Sequence, residues 1–369
     1  MRVSGVVPLS FRNLADAAVE LGPGVTVVHG PNGAGKTNLL EALFFALTGR
    51  SPRTRREREA IGFGAELARV EAKLEPDEGE EGESMTMMAS ISSGEARRRL
   101  VDGVPARPED DRRRPALSLF MPDRLALVKG PPSPRRAHLD RLSAALRPAR
   151  AEARREYGRA LAQRNNLLGR VRRGGDPGSL AAWDRELAER AAPLVEARRE
   201  ASAELVEPFA TAAAELGLPG AAEIAYRPRT GELGVDGILA ELAERREADV
   251  ARGFTGYGPH RDEVELSFGG RSLRRYGSQG QQRVGLLALL FAEREALRAA
   301  RRRLPLMLLD DVMSELDPER RRRLVAMLEG GGQAMITATE LDHVPVTRGS
   351  AAELAIEDGV SSAVAAVGP

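Results

Sequence analysis

The sequence contains no cysteine, which removes disulfide frameworks, thiol nucleophiles and cysteine-ligated metals and suits a reducing compartment. Aromatic residues are scarce, with nine Phe, four Tyr and one Trp. No strand interleaves them with basic residues, so there is no extended base-stacking platform of the kind that single-strand binders carry. No apolar run approaches the ~20 residues of a membrane span; the longest, residues 284–292, is broken by Gly285 and closed by Glu293. The opening Met1-Arg2-Val3 leads into an alternating segment without the apolar stretch of a secretory signal. A cytoplasmic protein with no membrane contact is expected. Lysine is nearly missing as well, present only as Lys36, Lys73 and Lys129, so arginine carries the positive charge. That bias fits a GC-rich genome and carries little functional weight.

Neither sign of charge dominates. The 55 basic and 54 acidic residues leave a net charge of +1, which is not the footprint of a histone-like nucleic-acid binder. Any DNA contact therefore has to come from local patches. A hydrophobic share of 42% supplies a real core, and 369 residues predict two or three domains at ~100–200 residues each.

Character changes twice along the chain. Val25-Thr26-Val27-Val28-His29 reads as a strand that runs into a Gly-rich turn, and Leu39, Leu40, Leu43, Ala46 and Leu47 then fall at helical spacing. Six carboxylates between Glu75 and Glu83 read as a solvated hairpin tip. From Ala149 to Val171 a helical face carries Ala153, Tyr157, Leu161, Asn165 and Leu168. After a Gly-rich break at 174–178, a second face carries Trp183, Leu187, Leu194, Ala201 and Leu205, with Pro193 kinking it. Two helices of about 23 residues, ~35 Å each, would form an αα-hairpin. Beyond Gly253, strands are expected at 264–268, 305–309 and 334–337, with a long helix over 284–303. The expected fold is α/β: one nucleotide-binding sheet assembled from both chain ends, with an inserted α-helical lobe carrying the hairpin. The expected divisions are 1–120 and 253–369 for the two parts of the sheet domain and 121–252 for the lobe.

Gly30-Pro31-Asn32-Gly33-Ala34-Gly35-Lys36-Thr37 matches the phosphate-loop pattern G-x-x-x-x-G-K-[ST] in full. Glycines let backbone N–H groups curl around phosphates, and the following helix adds its positive end. Lys36 would reach the β- and γ-phosphates of ATP, and Thr37 would ligate Mg²⁺. Leu306 to Leu309 form an apolar strand delivering Asp310 and Asp311 at its C-terminal end, the ligand edge of a parallel sheet. Asp310 is assigned to the metal and Asp311 to the attacking water. Ser278-Gln279-Gly280-Gln281-Gln282 precedes a helix, and Ser278 stands where an N-cap belongs; alone, it is also what a plain helix cap looks like. Ser314-Glu315-Leu316-Asp317 follows the acidic strand.

That order resembles the SMC-like branch of ABC-type ATPases, in which the signature serine of one subunit completes the ATP site of another. Further segments are similar to the RecF family in particular: Phe11-Arg12-Asn13, Asn38-Leu39-Leu40-Glu41-Ala42, Pro122-Asp123, Gly130-Pro131-Pro132, Arg135-Arg136, Leu139-Asp140, Gln163-Arg164-Asn165, Gly258-Pro259-His260-Arg261-Asp262 and Tyr276-Gly277-Ser278. The resemblance implies an ATP-dependent DNA-binding protein that forms a homodimer on ATP. Its catalytic set would be Lys36, Asp310, Asp311 and Ser278. Residues 30–38 of the phosphate loop, Asn38 included, with Gln279 and Gly280, would hold the nucleotide, and Thr37 and Asp310 would hold Mg²⁺. It further implies action with RecO and RecR to load RecA at single-strand gaps, with weak, DNA-stimulated ATP hydrolysis as a release timer. An Asp at 311, where most ABC ATPases carry Glu, fits slow turnover.

Three departures stand out. A Q-loop Gln is not evident, Thr337-Ala338-Thr339 occupies the place of the switch His, and Glu263 replaces an expected Asp after Arg261-Asp262. The first two weigh against the competing reading, an ABC transporter ATPase subunit. A structural module with a degenerate site conflicts with the intact Lys36, Thr37, Asp310 and Ser278. Candidate phosphate contacts on double-stranded or gapped DNA are Arg97–Arg99, Arg112–Arg114, Arg135-Arg136, Arg301–Arg303 and Arg320–Arg323, with His260 and Arg261 either a structural turn or a contact near nucleotide.

Overall fold

A computed structural model describes residues 1–364 apart from 55, 78, 80, 95, 108, 230, 232, 233 and 348. The chain opens with β1 (Arg2–Leu9), β2 (Val19–Glu20), β3 (Val25–His29), α1 (Lys36–Thr48), β4 (Leu67–Glu75), β5 (Met85–Ser92), β6 (Arg98–Val101), β7 (Val104–Pro105), α2 (Asp110–Arg113) and β8 (Leu117–Phe120). It continues through α3 (Ala126–Lys129), α4 (Pro132–Leu146), α5 (Ala153–Arg172), α6 (Leu180–Glu215), β9 (Ala222–Arg227), α7 (Val235–Glu244), α8 (Arg246–Arg252), β10 (Glu263–Phe268), β11 (Arg271–Ser272), α9 (Leu273–Tyr276) and α10 (Gln279–Arg301). It closes with β12 (Leu306–Leu309), α11 (Pro318–Glu329), β13 (Ala334–Ala338), β14 (Ala351–Glu357) and β15 (Val360–Val364).

Two compact units result, Met1–Pro122 with Arg302–Pro369, and Asp123–Arg301. Residues 253–301, expected with the sheet domain, therefore group with the helical unit and carry the Ser278 segment there.

In the first unit an antiparallel sheet runs β2-β1-β4-β5-β6-β7, and a second sheet runs β15-β14-β3-β13-β12-β8. The second sheet is parallel from β14 to β8. Strands β12 and β13 are buried throughout, and apolar apart from Thr337, as covering on both faces requires. Helix α1 contacts strands of both sheets, which is why it is apolar around most of its circumference, with Leu39, Leu40, Leu43, Phe45 and Leu47 all essentially inaccessible. Strands β4 and β5 flank the acidic tract in register Leu74↔Met85; Glu78 and Glu80 lie outside the described residues. At the tract's base Glu75 pairs with Arg2, and Asp77 pairs with the N-terminal ammonium at 2.7 Å.

In the second unit α5 and α6 form the hairpin, but α6 is 36 residues long, ~54 Å, and continues through Pro193 and Pro208. The reason is packing. Leu187, Leu194, Ala201, Leu205 and Phe209 are all buried, and α6 contacts α5, α10 and β9, which outweighs the backbone bonds that proline forfeits. Arg164, named in the sequence only as part of the family-like segment Gln163-Arg164-Asn165, is fully buried and donates to Asp184 at 2.7 Å, Asp249 at 2.8 Å and Thr255 at 2.8 Å. Arg135 is likewise no surface phosphate contact. It is 5% exposed and donates twice to Glu263, at 3.0 and 2.7 Å, and to the Gly130 carbonyl. The Glu263 departure thus has a structural partner. His260 is a turn residue, bonded to the Tyr157 hydroxyl at 2.6 Å and the Thr255 carbonyl at 3.0 Å.

Candidate nucleotide-binding site

The phosphate loop leaves the C-terminal end of β3 and enters α1, and its glycines hold conformations that other residues resist. Gly30, Gly33 and Gly35 have φ of 151°, 85° and 117°. A Cβ on Gly30 would sit 2.1 Å from the Ile356 carbonyl oxygen. Gly30→Ala is therefore expected to cost at least about 2 kcal/mol of unfolding free energy in urea titration, with loss of nucleotide affinity; unchanged stability would show that this packing is not tight.

Lys36 is 8% exposed and its ammonium donates to the carbonyls of Gly30 at 2.7 Å and Pro31 at 2.9 Å. Burial holds its pKa below the usual lysine range, opposed by Asp311 and then Asp310. Two acids of the β12 edge therefore favour the charged form of the loop cation. The parallel register sets Leu309 beside Ile336 and Ile336 beside Val27, so the ends of three strands meet at one edge. There the Thr37 hydroxyl donates to Asp310 at 2.8 Å, and the Thr337 hydroxyl donates to the same carboxylate oxygen at 2.8 Å. Burial raises the Asp310 pKa, and the two threonine hydrogen bonds pull it back down. Asp311 follows with φ of 48°, and its N–H donates to Thr337 at 2.9 Å. That strained position fixes the backbone from which its carboxylate projects.

A second layer holds the loop. Glu41, fully buried on α1, accepts from Arg12 at 2.9 and 3.1 Å, from Arg53 at 3.1 Å and from Ser51 at 2.5 Å. Asn13 donates to the Gly33 carbonyl and accepts from Asn38, whose oxygen accepts from Arg53. The Phe11-Arg12-Asn13 and Asn38–Glu41 segments thus have a physical task, fixing the loop from outside. The turn between β14 and β15 does the same from the other side. Gly359 donates to the Ala34 carbonyl at 2.8 Å and accepts from the Ala15 N–H at 2.8 Å.

Sequence reasoning missed that hairpin, and it noted Thr337 only as standing in the place of the switch His, not as the partner of Asp310 and Asp311. Asp358-Gly359 between alternating residues is a hairpin signal that could have revealed the first. A lone hydroxyl in an otherwise apolar strand could have revealed the second.

Ser278, Gln279 and Gly280 lie in the other unit, at the start of α10. Ser278 is exposed, its Oγ accepts from the Gln281 N–H at 3.2 Å, and its own N–H donates to the Gln281 side chain at 2.8 Å. This is a reciprocal capping box. The other basic clusters are largely engaged: Arg97 pairs with Glu57, Arg320 with Asp317 and Arg323 with Glu319, while Arg321 donates to the Met313 and Leu316 carbonyls. The side chain of Arg112 lies outside the described residues. No helix among the described residues is long and apolar enough to cross a membrane.

Comparison with known proteins agrees with this geometry. The family model described as RecF/RecN/SMC N terminal domain matches residues 3–352. The DNA replication and repair protein RecF of Anaeromyxobacter sp. (strain Fw109-5) is 42% identical over 352 residues, 92% of this chain and 93% of that protein. Among solved structures, the recombination mediator protein RecF-ATP in the RecFOR pathway is 27% identical with a TM-score of 0.85, covering 98% of this chain and 97% of that one. An Smc head bound to the C-winged helix domain of ScpA, 15% identical with a TM-score of 0.59 and covering 98% and 96%, shares the fold. A phosphate loop braced by Arg12, Glu41 and Arg53, an acidic strand end and an SMC-type head fold, joined to these relatives, place the chain in the RecF family of DNA replication and repair proteins.

Proposed function

We propose that the chain binds ATP with Mg²⁺, that ATP joins two copies into a clamp on double-stranded or gapped DNA, and that it acts with RecO and RecR to promote RecA loading. The observation that carries this is the Thr37–Asp310 hydrogen bond of 2.8 Å, since it joins the phosphate loop to the acidic strand at one point. A hydroxyl and a carboxylate so close are hard oxygen donors of the kind Mg²⁺ takes beside nucleotide phosphates. The glycine cradle, which has no room for a Cβ at Gly30, fits a polyphosphate. A relative described with ATP and within the RecFOR pathway supports both the nucleotide and the partners.

In this reading the backbone N–H groups of residues 33–37 and the Lys36 ammonium bind phosphate oxygens. Thr37 and Asp310 hold the metal, and Asp311 orients the attacking water. Held by Thr37 and Asp310, the metal would supply charge neutralisation at the terminal phosphates. An Asp at 311 reaches less far than a Glu, which fits slow, DNA-stimulated hydrolysis that times release from DNA. Ser278 works from the facing subunit. One of its oxygen lone pairs accepts from the Gln281 N–H, and its hydroxyl hydrogen stays available to donate to a terminal phosphate. Ser278→Arg is therefore expected to abolish ATP-dependent dimerisation in sedimentation while ATP affinity stays within about threefold. A loss of nucleotide affinity as severe as that of Lys36→Ala would contradict the trans role.

A further inference from the structure

Two polar atoms face each other inside the unit of residues 123–301 without a bond between them. His138 on α4 is buried, Glu293 on α10 is 13% exposed, and His138 Nε2 stands 3.7 Å from Glu293 Oε2. That is too long for a hydrogen bond, and both atoms are closed off from solvent with no other partner among the described residues. Leaving a buried donor or acceptor unmade costs free energy. Each of these atoms would satisfy the other after a shift of about 0.5–1 Å.

Their surroundings decide which of them carries a proton. Burial pushes His138 well below the ordinary imidazole range, and the nearby cations Arg124 and Arg141 push it further down. Burial pushes the Glu293 carboxyl up to about 7, with Arg124 and Arg141 pulling it back. His138 is therefore already neutral where Glu293 titrates, and the two are not an ion pair. Asp123 faces Arg124 in turn, and Asp140 and Arg154 face Arg141. On the other elements packed against α4 and α10, Lys129, Arg274 and Arg275 do not act on the pair. Arg150, Arg198 and Glu263 are held by Glu200, Asp140 and Arg135.

We propose that His138 and Glu293 form a latch between α4 and α10 that a single proton closes. With the proton on, the Glu293 O–H donates to Nε2 of an imidazole whose own hydrogen sits on Nδ1. With it released to solvent, the carboxylate is drawn to the guanidinium groups of Arg124 and Arg141, since charge-assisted bonds are the stronger ones, and the tie between the helices is lost. Helix α10 already meets α4 near its C-terminal end, where Arg301 donates to the Ala145 carbonyl at 3.3 Å. The latch adds a second tie about two turns nearer to Ser278, so pH sets how firmly the helix behind that serine is seated. Because the folded value of Glu293 lies above its ordinary 4.5, the stability it lends is fully present below about 4.5 and lost as pH rises through about 7. The latch needs neither nucleotide nor DNA, so it stands or falls apart from the proposed function.

The test uses the full chain without nucleotide. With four histidines in the sequence, ¹⁵N-imidazole spectra resolve His138, assigned by its absence in His138→Phe. His138 should hold the Nδ1–H tautomer at low pH and change its Nε2 shift with a midpoint at about 7. Glu293→Gln, whose amide donates at every pH, should remove that change. Hydrogen exchange of the α10 amides, corrected for the chemical exchange rate, should show protection falling about tenfold from pH 6 to pH 8 in wild type and flat in Glu293→Gln. His138→Phe keeps a ring and removes the acceptor, and it should lower protection at pH 6 by about fivefold. An imidazole that titrates as a cation near its ordinary 6.5 overturns the latch. So does a pH response of equal size in wild type and Glu293→Gln, or protection at pH 6 that His138→Phe leaves unchanged.

Discussion

Lys36→Ala is expected to lower ATP affinity by at least about a hundredfold. The ammonium serves two ends at once. Its hydrogen bonds to the Gly30 and Pro31 carbonyls tie the two ends of the loop together, and it stands in the field of Asp311 and Asp310. Alanine removes the cation that would meet the β- and γ-phosphates and leaves those acids uncompensated beside an incoming polyanion. Hydrogen bonds to charged groups contribute about 1.5–3 kcal/mol each, so losing two to phosphate corresponds to a factor of a hundred or more. Titration calorimetry with ATP and Mg²⁺ measures it, with thermal melting as a folding control. A loss under tenfold in a folded variant would move the phosphates away from Lys36.

The second large effect falls on stability. Arg164→Met should destabilise the helical unit by about 3–5 kcal/mol, because it strands buried carboxylates. Asp184 would keep Arg246, which donates to it at 2.6 and 2.9 Å, but Asp249 would keep only the Gly256 N–H at 2.9 Å. Both carboxylates are fully buried. The same arginine and its neighbour Asn165 tie α5 to the Thr255 loop, since Asn165 accepts from the Thr255 N–H at 2.8 Å and hydroxyl at 2.7 Å. Urea unfolding followed by far-UV circular dichroism gives the number. A change under 1 kcal/mol would mean that the carboxylates reach water or another cation when Arg164 is gone.

Features written in contiguous residues were legible. The strand at 25–29, the phosphate loop, the helix after it and the acidic strand all lie where period and turn chemistry put them. Features that depend on distant partners were not. Nothing near Arg135 announces Glu263, which is 128 positions away, so a buried ion pair read as a basic surface patch. Arg164 looks like any other arginine on an Arg-rich helix until α8 brings Asp249 to it. The length of α6 was underestimated because proline is a local signal, whereas the packing that carries the helix across Pro193 is tertiary. Within the nucleotide site, the family-like residues Arg12, Asn13 and Glu41 were noticed as a pattern, and their task became visible only with the coordinates.

In the proposed function each ATP is held by the phosphate loop of one copy and closed by Ser278 of another. Mixing two inactive variants tests it most directly. Lys36→Ala spoils a copy's own loop and Ser278→Arg spoils what it offers its neighbour, so a mixed pair contains one intact composite site. Sedimentation with ATP and Mg²⁺ should show no dimer for either variant alone and a dimer for the equimolar mixture. Two monomers that stay apart when mixed, while wild type dimerises under the same conditions, would contradict a site shared between subunits.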